Sequence, residues 1–181
     1  PAGDWAAGER GIACLPSRMS EFRDGVGKAI AYARATGCKR LNIVSGIVPP
    51  RAKEQVLRET FISNLRFAAD EVSRAGMELM IEPINTRTIP DIYLRYSGQA
   101  LALIDEAGAR AKLQYDVFHM QIMEGDLAST IAANIARIGH IQVADVPDRH
   151  EPGSGEINFP WLFDHIDRTG YEGWKIGRAH V

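Results

Sequence analysis

The residues of this chain best suited to chemistry stand at the ends of short apolar runs. "LMIEP" delivers Glu82, "LQYDVFH" delivers Asp116 with His119 three residues later, and "HIQVAD" carries Gln142 within the run and Asp145 at its end. Carboxylate and amide oxygens with one imidazole make a hard, oxygen-rich donor set, suited to Mg²⁺ or Mn²⁺ more than to zinc. Burying Glu82 and Asp116 without a counter-charge is costly, so a bound divalent cation is the simplest compensation. Arg149, in the loop that follows, could hold an anionic substrate group in a bidentate contact.

Each residue also has a plainer reading. Glu82 could pair with a loop arginine such as Arg87 or Arg95. Asp116 could as readily cap the turn "VFHM" as bind a ligand. His119 alone reads as a packed, hydrogen-bonded histidine, Gln142 as a strand polar residue satisfied by its neighbours, and Arg149 as a solvated loop residue. Trp5, Trp161 and Trp174 read as packing residues, and His140 and His150 as structural or exposed. The functional reading rests on the combination at successive strand ends.

The elements that must position these groups alternate regularly. "SEFRDGVGKAIAYARATG" repeats apolar residues at Phe22, Val26, Ile30 and Ala33, predicting a helix with Ser20 as N-cap and Gly37 as stop. "KEQVLRETFISNLRFAADEVSRAG" aligns Leu57, Phe61, Leu65, Ala68 and Val72, and "SGQALALIDEAG", "DLASTIAANIARIG" and "FPWLFDHIDRTG" are further helical patterns. Between them lie "RLNIVSG", "MELMIEP", "AKLQYD" and "HIQVAD" as strands, and "GWKIG" as the start of another. Short helix-to-strand links and long strand-to-helix loops predict an α/β fold of the (β/α)8 TIM-barrel type, with functional loops at the C-terminal strand ends. A doubly wound sheet shares the alternation, but neither a GxGxxG nor a Walker loop supports it.

Composition narrows the class. The chain has 181 residues, 45% hydrophobic and 24% charged, with a formal net charge of −2. This describes an ordinary soluble domain with no electrostatic reason to expect nucleic acid or a membrane as partner. Cys14 and Cys38 make neither a disulfide framework nor a zinc cluster, which fits reduced thiols in the cytoplasm. The start "PAGDWAAGERG" has no signal-peptide character and does not begin with Met, so the natural N-terminus is expected to lie upstream.

"PAGDWAAGERGIAC", "IEPIN", "QYDVFHMQ", "GHIQVAD" and "EPGSGEIN" together resemble the hydroxypyruvate isomerase family, within the xylose-isomerase-like TIM barrels. The likeness runs from Pro1 to Trp174. It implies interconversion of hydroxypyruvate and 2-hydroxy-3-oxopropanoate (tartronate semialdehyde) by metal-assisted proton transfer through an enediolate, as in glyoxylate-linked metabolism. By the same resemblance Glu82 is a catalytic glutamate and metal ligand, Asp116 and Gln142 are further ligands of Mg²⁺ or Mn²⁺, and His119 and Arg149 bind substrate. A metal-dependent ketose 3-epimerase or sugar isomerase is the alternative, and self-assembly into a homo-oligomer stays open.

The family's second catalytic glutamate lies in a motif of the form GWxGCEYKP, whereas this chain reads "GWKIGRAHV" and has no glutamate after Trp174. "IGRAHV" resembles the translated beginning of a sequencing-library adapter, so residues 175–181 are expected to be a non-native tail, with a divergent natural tail as the competing reading. Relatives in the family also carry two βα units and most of a third strand before "PAGDW". Residues 1–174 are therefore expected to form an incomplete barrel: the tip of strand three, strands four to seven with their helices, and the start of strand eight. In that form the chain is expected to be a catalytically inactive fragment.

Overall fold

The computed structural model describes residues 3–177. Five strands, β1 (Arg40–Ile43), β2 (Glu78–Ile81), β3 (Ala111–Asp116), β4 (Ile138–Val143) and β5 (Lys175–Gly177), form one sheet in that order. Every neighbouring pair is parallel, and the connections between them are helical. That is the βα repeat the sequence predicts. Among the described residues the sheet is open, with β1 and β5 as its edges.

The helices are α1 (Met19–Thr36), α2 (Glu54–Arg74), α3 (Ser97–Ala107), α4 (Val117–Met123), α5 (Leu127–Asn134) and α6 (Phe159–Arg168). Their apolar stripes are the ones legible in sequence: Phe22, Val26, Ile30 and Ala33 on α1, and Leu57, Phe61, Leu65, Ala68 and Val72 on α2, are all buried. α1 begins differently from expectation. Pro16–Arg18 form a 3-10 turn that leads directly into the helix, so Arg18 takes the cap position and Ser20 lies inside the first turn. Pro16 fixes its own φ in the helical range and starts the turn early. At the other end Gly37 adopts φ 71°, and its N–H returns to the Ala33 and Arg34 carbonyls, the left-handed stop a glycine makes cheaply.

Side chains alternate across each strand. Leu79, Ile81, Leu113, Tyr115, Ile141 and Val143 face the helices and join Phe61, Leu65, Leu103 and Ile131 in one buried cluster. Burying each such side chain contributes roughly 1.5–3 kcal/mol. The other face is mostly polar, with Met80 as a buried apolar member. There Glu78 bridges Arg40 and Lys112 at 3.3 Å each, low in the sheet. Two residues further along the strands stand Asn42 and Gln114, and beyond them Glu82, Asp116 and Gln142. The sheet thus presents a polar concave surface whose groups become more acidic towards the C-terminal ends.

The tryptophans depart from their expected packing role. Trp5, Trp161 and Trp174 are 42%, 50% and 66% exposed. Trp5 lies under the Arg10 guanidinium and Trp161 stacks on His165. No helix among the described residues is long and apolar enough to cross a membrane.

Candidate metal and substrate site

Glu82 leaves the end of β2 just before Pro83, and its side chain is buried. Its Oε2 accepts from Asn42 Nδ2 at 2.7 Å and from Gln114 Nε2 at 2.8 Å. Its Oε1 lies 3.9 Å from His119 Nε2. Arg95, one of the loop arginines considered as a partner, directs Nε to the Ile92 carbonyl instead.

Asp116 ends β3 and serves two purposes. Its Oδ1 accepts from the backbone N–H of Phe118 (3.0 Å) and His119 (3.5 Å), capping α4. Its Oδ2 accepts from Arg149 Nη2 at 2.8 Å and lies 3.6 Å from His119 Nε2. Cap and cluster member were alternatives in the sequence; the carboxylate has an oxygen for each. The cap also explains why "VFHM" is the start of a helix rather than a turn, which fixes His119 on the first turn of α4.

Gln142, on β4 in register with Asp116, completes the cluster. One terminal atom of its amide lies 3.1 Å from both Glu82 Oε1 and Asp116 Oδ2. With nitrogen there, the amide donates to both carboxylates. With oxygen there, three acceptors face one another, which a shared proton or a bound cation would reconcile. Ligand atoms of Glu82, Asp116 and His119 all lie within 4.8 Å of one another. Two buried carboxylates, an amide and an imidazole converging at the strand ends form a donor set that fits a hard divalent ion.

His119 is oriented from behind. Asn85, fully buried in the loop after β2, places Nδ2 2.7 Å from His119 Nδ1, and its Oδ1 accepts from Thr88 N. A donor at Nδ1 favours the tautomer with the proton on Nε2. Arg149 Nη2, 3.2 Å from Nε2 and able only to donate, favours the opposite one, so the imidazole meets a donor on each side.

Arg149 reaches the site from the loop between β4 and α6. It is buried, holds φ 63°, and places its guanidinium 5.0 Å above the Phe118 ring. A left-handed arginine is costly by about 1–3 kcal/mol and persists only where its surroundings hold it. Asp145 does so. Its backbone N–H donates to the His150 carbonyl, and its carbonyl accepts from Arg149 N. Its carboxylate accepts from the backbone N–H of Val146, Gly153, Gly155 and Ile157, at 2.9–3.0 Å. Burial pushes the Asp145 carboxyl up, but the four backbone donors outweigh it and hold it below its ordinary value. Gly155 is required here, since a Cβ would stand 1.9 Å from the Val146 carbonyl oxygen.

The structure therefore brings Glu82, Asp116, His119, Gln142 and Arg149 together, and assigns Asp145 to the loop. Asn42, Gln114 and Asn85 escaped the sequence reading, although Gln114 stands two residues before Asp116 in "LQYD" and so on the same face. His150 is exposed, and His140 is half-buried on β4 with its basicity lowered, chiefly by burial and then by Arg40.

Residues 4–178 match the family described as xylose isomerase-like TIM barrel. The chain belongs to this family. It is 50% identical over 175 residues to hydroxypyruvate isomerase of Escherichia coli (strain K12), covering 96% of this chain and 68% of that protein. It is 46% identical over 173 residues to 2-oxo-tetronate isomerase of Cupriavidus necator, covering 95% and 66%. A crystal structure from Brucella melitensis, described as AP endonuclease, family 2, superposes with a TM-score of 0.95 at 41% identity, covering 99% of this chain and 69% of that one. The chain thus spans about two thirds of the length of the relatives it matches. The resemblance read from the sequence motifs agrees with these matches.

Proposed function

We propose that this chain carries the metal and substrate site of an isomerase acting on small 2-oxo acids with a hydroxyl on the adjacent carbon, with hydroxypyruvate and 2-hydroxy-3-oxopropanoate as the pair interconverted. The observation that carries the reading is the convergence of Glu82, Asp116 and Gln142 on one point at the C-terminal strand ends. Glu82, Asp116 and Gln142 would hold Mg²⁺ or Mn²⁺, with His119 beside them. When bound, such an ion supplies Lewis-acid polarisation of adjacent carbonyl and hydroxyl oxygens.

The chain's own groups supply the rest. Glu82 is the base that removes a proton from the substrate carbon, leaving an enediolate, and its buried position keeps water from competing. His119 Nε2 faces the cluster 3.2 Å from Arg149 Nη2 and would contact a substrate oxygen there. Arg149 holds the substrate carboxylate, the only charged group such a substrate offers. Return of the proton to the neighbouring carbon calls for a second acid, and no aspartate or glutamate follows Trp174. We therefore propose that turnover belongs to a version extended to the full length of its relatives, and that the 181 residues alone are inactive.

The relative named 2-oxo-tetronate isomerase supports a second substrate of the same class with one more carbon. The Brucella description names an endonuclease instead. The one Glu82–Asp116–His119 cluster found among the described residues fits a small-molecule site better than a multinuclear one.

The test is a substrate panel on the extended protein with and without Mn²⁺: hydroxypyruvate, 2-oxo-tetronate, longer ketoses and abasic DNA. Activity on hydroxypyruvate that Glu82→Gln abolishes without unfolding supports the assignment. Near-normal activity of that variant, or preference for a ketose, would overturn it.

A further inference from the structure

One oxygen of Glu82 is held from both sides. Asn42 on β1 and Gln114 on β3, the two strands flanking β2, direct their amide nitrogens to the same atom, Oε2, at 2.7 and 2.8 Å. We propose that Asn42 and Gln114 are positioning residues that lock the Glu82 carboxylate with Oε2 engaged and Oε1 alone aimed at Asp116, Gln142 and His119. The inference rests on Glu82 being the ligand and base of the proposed site.

The choice of residue type fits that task. The terminal torsion of glutamate is broad and nearly two-fold, so an unrestrained carboxylate would present either oxygen or neither. Two donors converging on one oxygen select a single orientation. Both donors are neutral, so the negative charge of Glu82 stays available for a cation and a proton. A lysine or arginine in either place would neutralise it, and an acid would repel it. Amides also cannot give up the proton they donate.

Asn42 shows that this contact outranks its own satisfaction. Its Oδ1 is buried with no hydrogen-bond partner, and turning the amide over would only set that oxygen against Glu82 Oε2. A polar residue present merely to complete the strand face would not leave a buried acceptor orphaned. Strand register supplies the geometry. Asn42 pairs in register with Met80, two residues before Glu82, and Gln114 follows Leu113, the register partner of Ile81, so it stands beside Glu82. One amide therefore reaches the Glu82 carboxylate from below along the sheet and the other from the side.

The test uses Asn42→Leu, Gln114→Met and their combination in the 181-residue chain, each removing a donor at near-constant volume. Mn²⁺ affinity is measured by electron paramagnetic resonance, thermal unfolding is followed in parallel, and the double variant is crystallised beside its parent. Each single change is expected to weaken Mn²⁺ binding roughly 10- to 100-fold, the range for groups that orient metal ligands. The Glu82 carboxylate is expected to rotate in the double variant. A double variant with Mn²⁺ affinity within about two-fold of the parent and Glu82 unmoved would overturn the proposal, whatever the change in melting temperature. If the double variant does not fold, Asn42→Ala, at a half-buried position, is read the same way. If the parent takes up no Mn²⁺, the metal reading fails separately. The position of Glu82 in the two crystals then decides the positioning role, rotation supporting it and no movement refuting it.

Discussion

Arg149 Nη2 stands 2.8 Å from Asp116 Oδ2, with both side chains almost wholly withdrawn from solvent. In the structure the guanidinium therefore holds the carboxylate oxygen that faces the cluster, where a divalent ion would also seek its ligand. Arginine and cation compensate the same charge. Removing the arginine alone strands a buried carboxylate, which costs about 3–5 kcal/mol. Arg149→Met is thus expected to lower urea stability by about that amount in chelator and by less with Mn²⁺ present. The variant gains about 2.7 kcal/mol at 100 times its dissociation constant, while the parent, whose arginine competes for Asp116, gains less at the same Mn²⁺ concentration. An equal loss with and without Mn²⁺ would show that the two cations do not share Asp116.

The Asp145 carboxylate gathers four backbone N–H groups of the loop that carries Arg149. Hydrogen bonds to a charged acceptor contribute roughly 1.5–3 kcal/mol each, and an asparagine would turn a donor towards some of them. Asp145→Asn is expected to make the 146–157 loop a cleavage site in limited proteolysis of the native protein. The pH dependence has a definite sign. Because the folded carboxyl titrates below its ordinary value of 3.8, its contribution is complete above that value and disappears as pH falls through the lower folded one. The stability gap between parent and variant should therefore be constant at neutral pH and narrow only below about pH 4. A gap that stayed constant into strong acid would remove Asp145 from this role.

The two thiols should behave oppositely. Cys14 is fully buried, and burial pushes its thiol up to about 12, whereas Cys38 is exposed. Since thiolate is the reactive form, a maleimide should label one cysteine in the native protein and both in denaturant. Rapid native labelling of both would mean that the helix–sheet packing around Cys14 opens far more readily than its burial implies.

How much of this was legible beforehand depended on the range of the signal. Helices announced themselves because Phe22 to Ala33 and Leu57 to Val72 repeat at the helical period, a local property. The strand-end acids were visible because Glu82 and Asp116 interrupt apolar runs at the positions where a barrel gathers its ligands. The partnership of Asn42, Glu82 and Gln114 was not visible, since it joins residues 40 and 32 apart in sequence through strand register. The role of Asp145 was hidden for a related reason. Its type and place matched those of Glu82 and Asp116, and only the folded loop reveals the four N–H groups around it.

The sheet edges give the last expectation. β1 pairs only with β2 among the described residues, and beside it a cavity of about 1050 Å³ is lined by Phe22, Val26, Leu41, Ile43, Val72 and Leu79. At the opposite edge Trp174 and Ile176 are 66% and 47% exposed. Unpaired strand edges flanked by apolar side chains are templates for association, and barrel closure is the usual way of removing them. The 181-residue chain is expected to sediment above its 19.9 kDa monomer mass, increasingly so with concentration. Ile176→Lys, which sets a charge on the exposed β5 edge, should shift the equilibrium back towards monomer, and extension to the full length of the relatives should suppress the edge-driven association. A single 19.9 kDa species at every concentration would show that α1 and the loops already protect these edges.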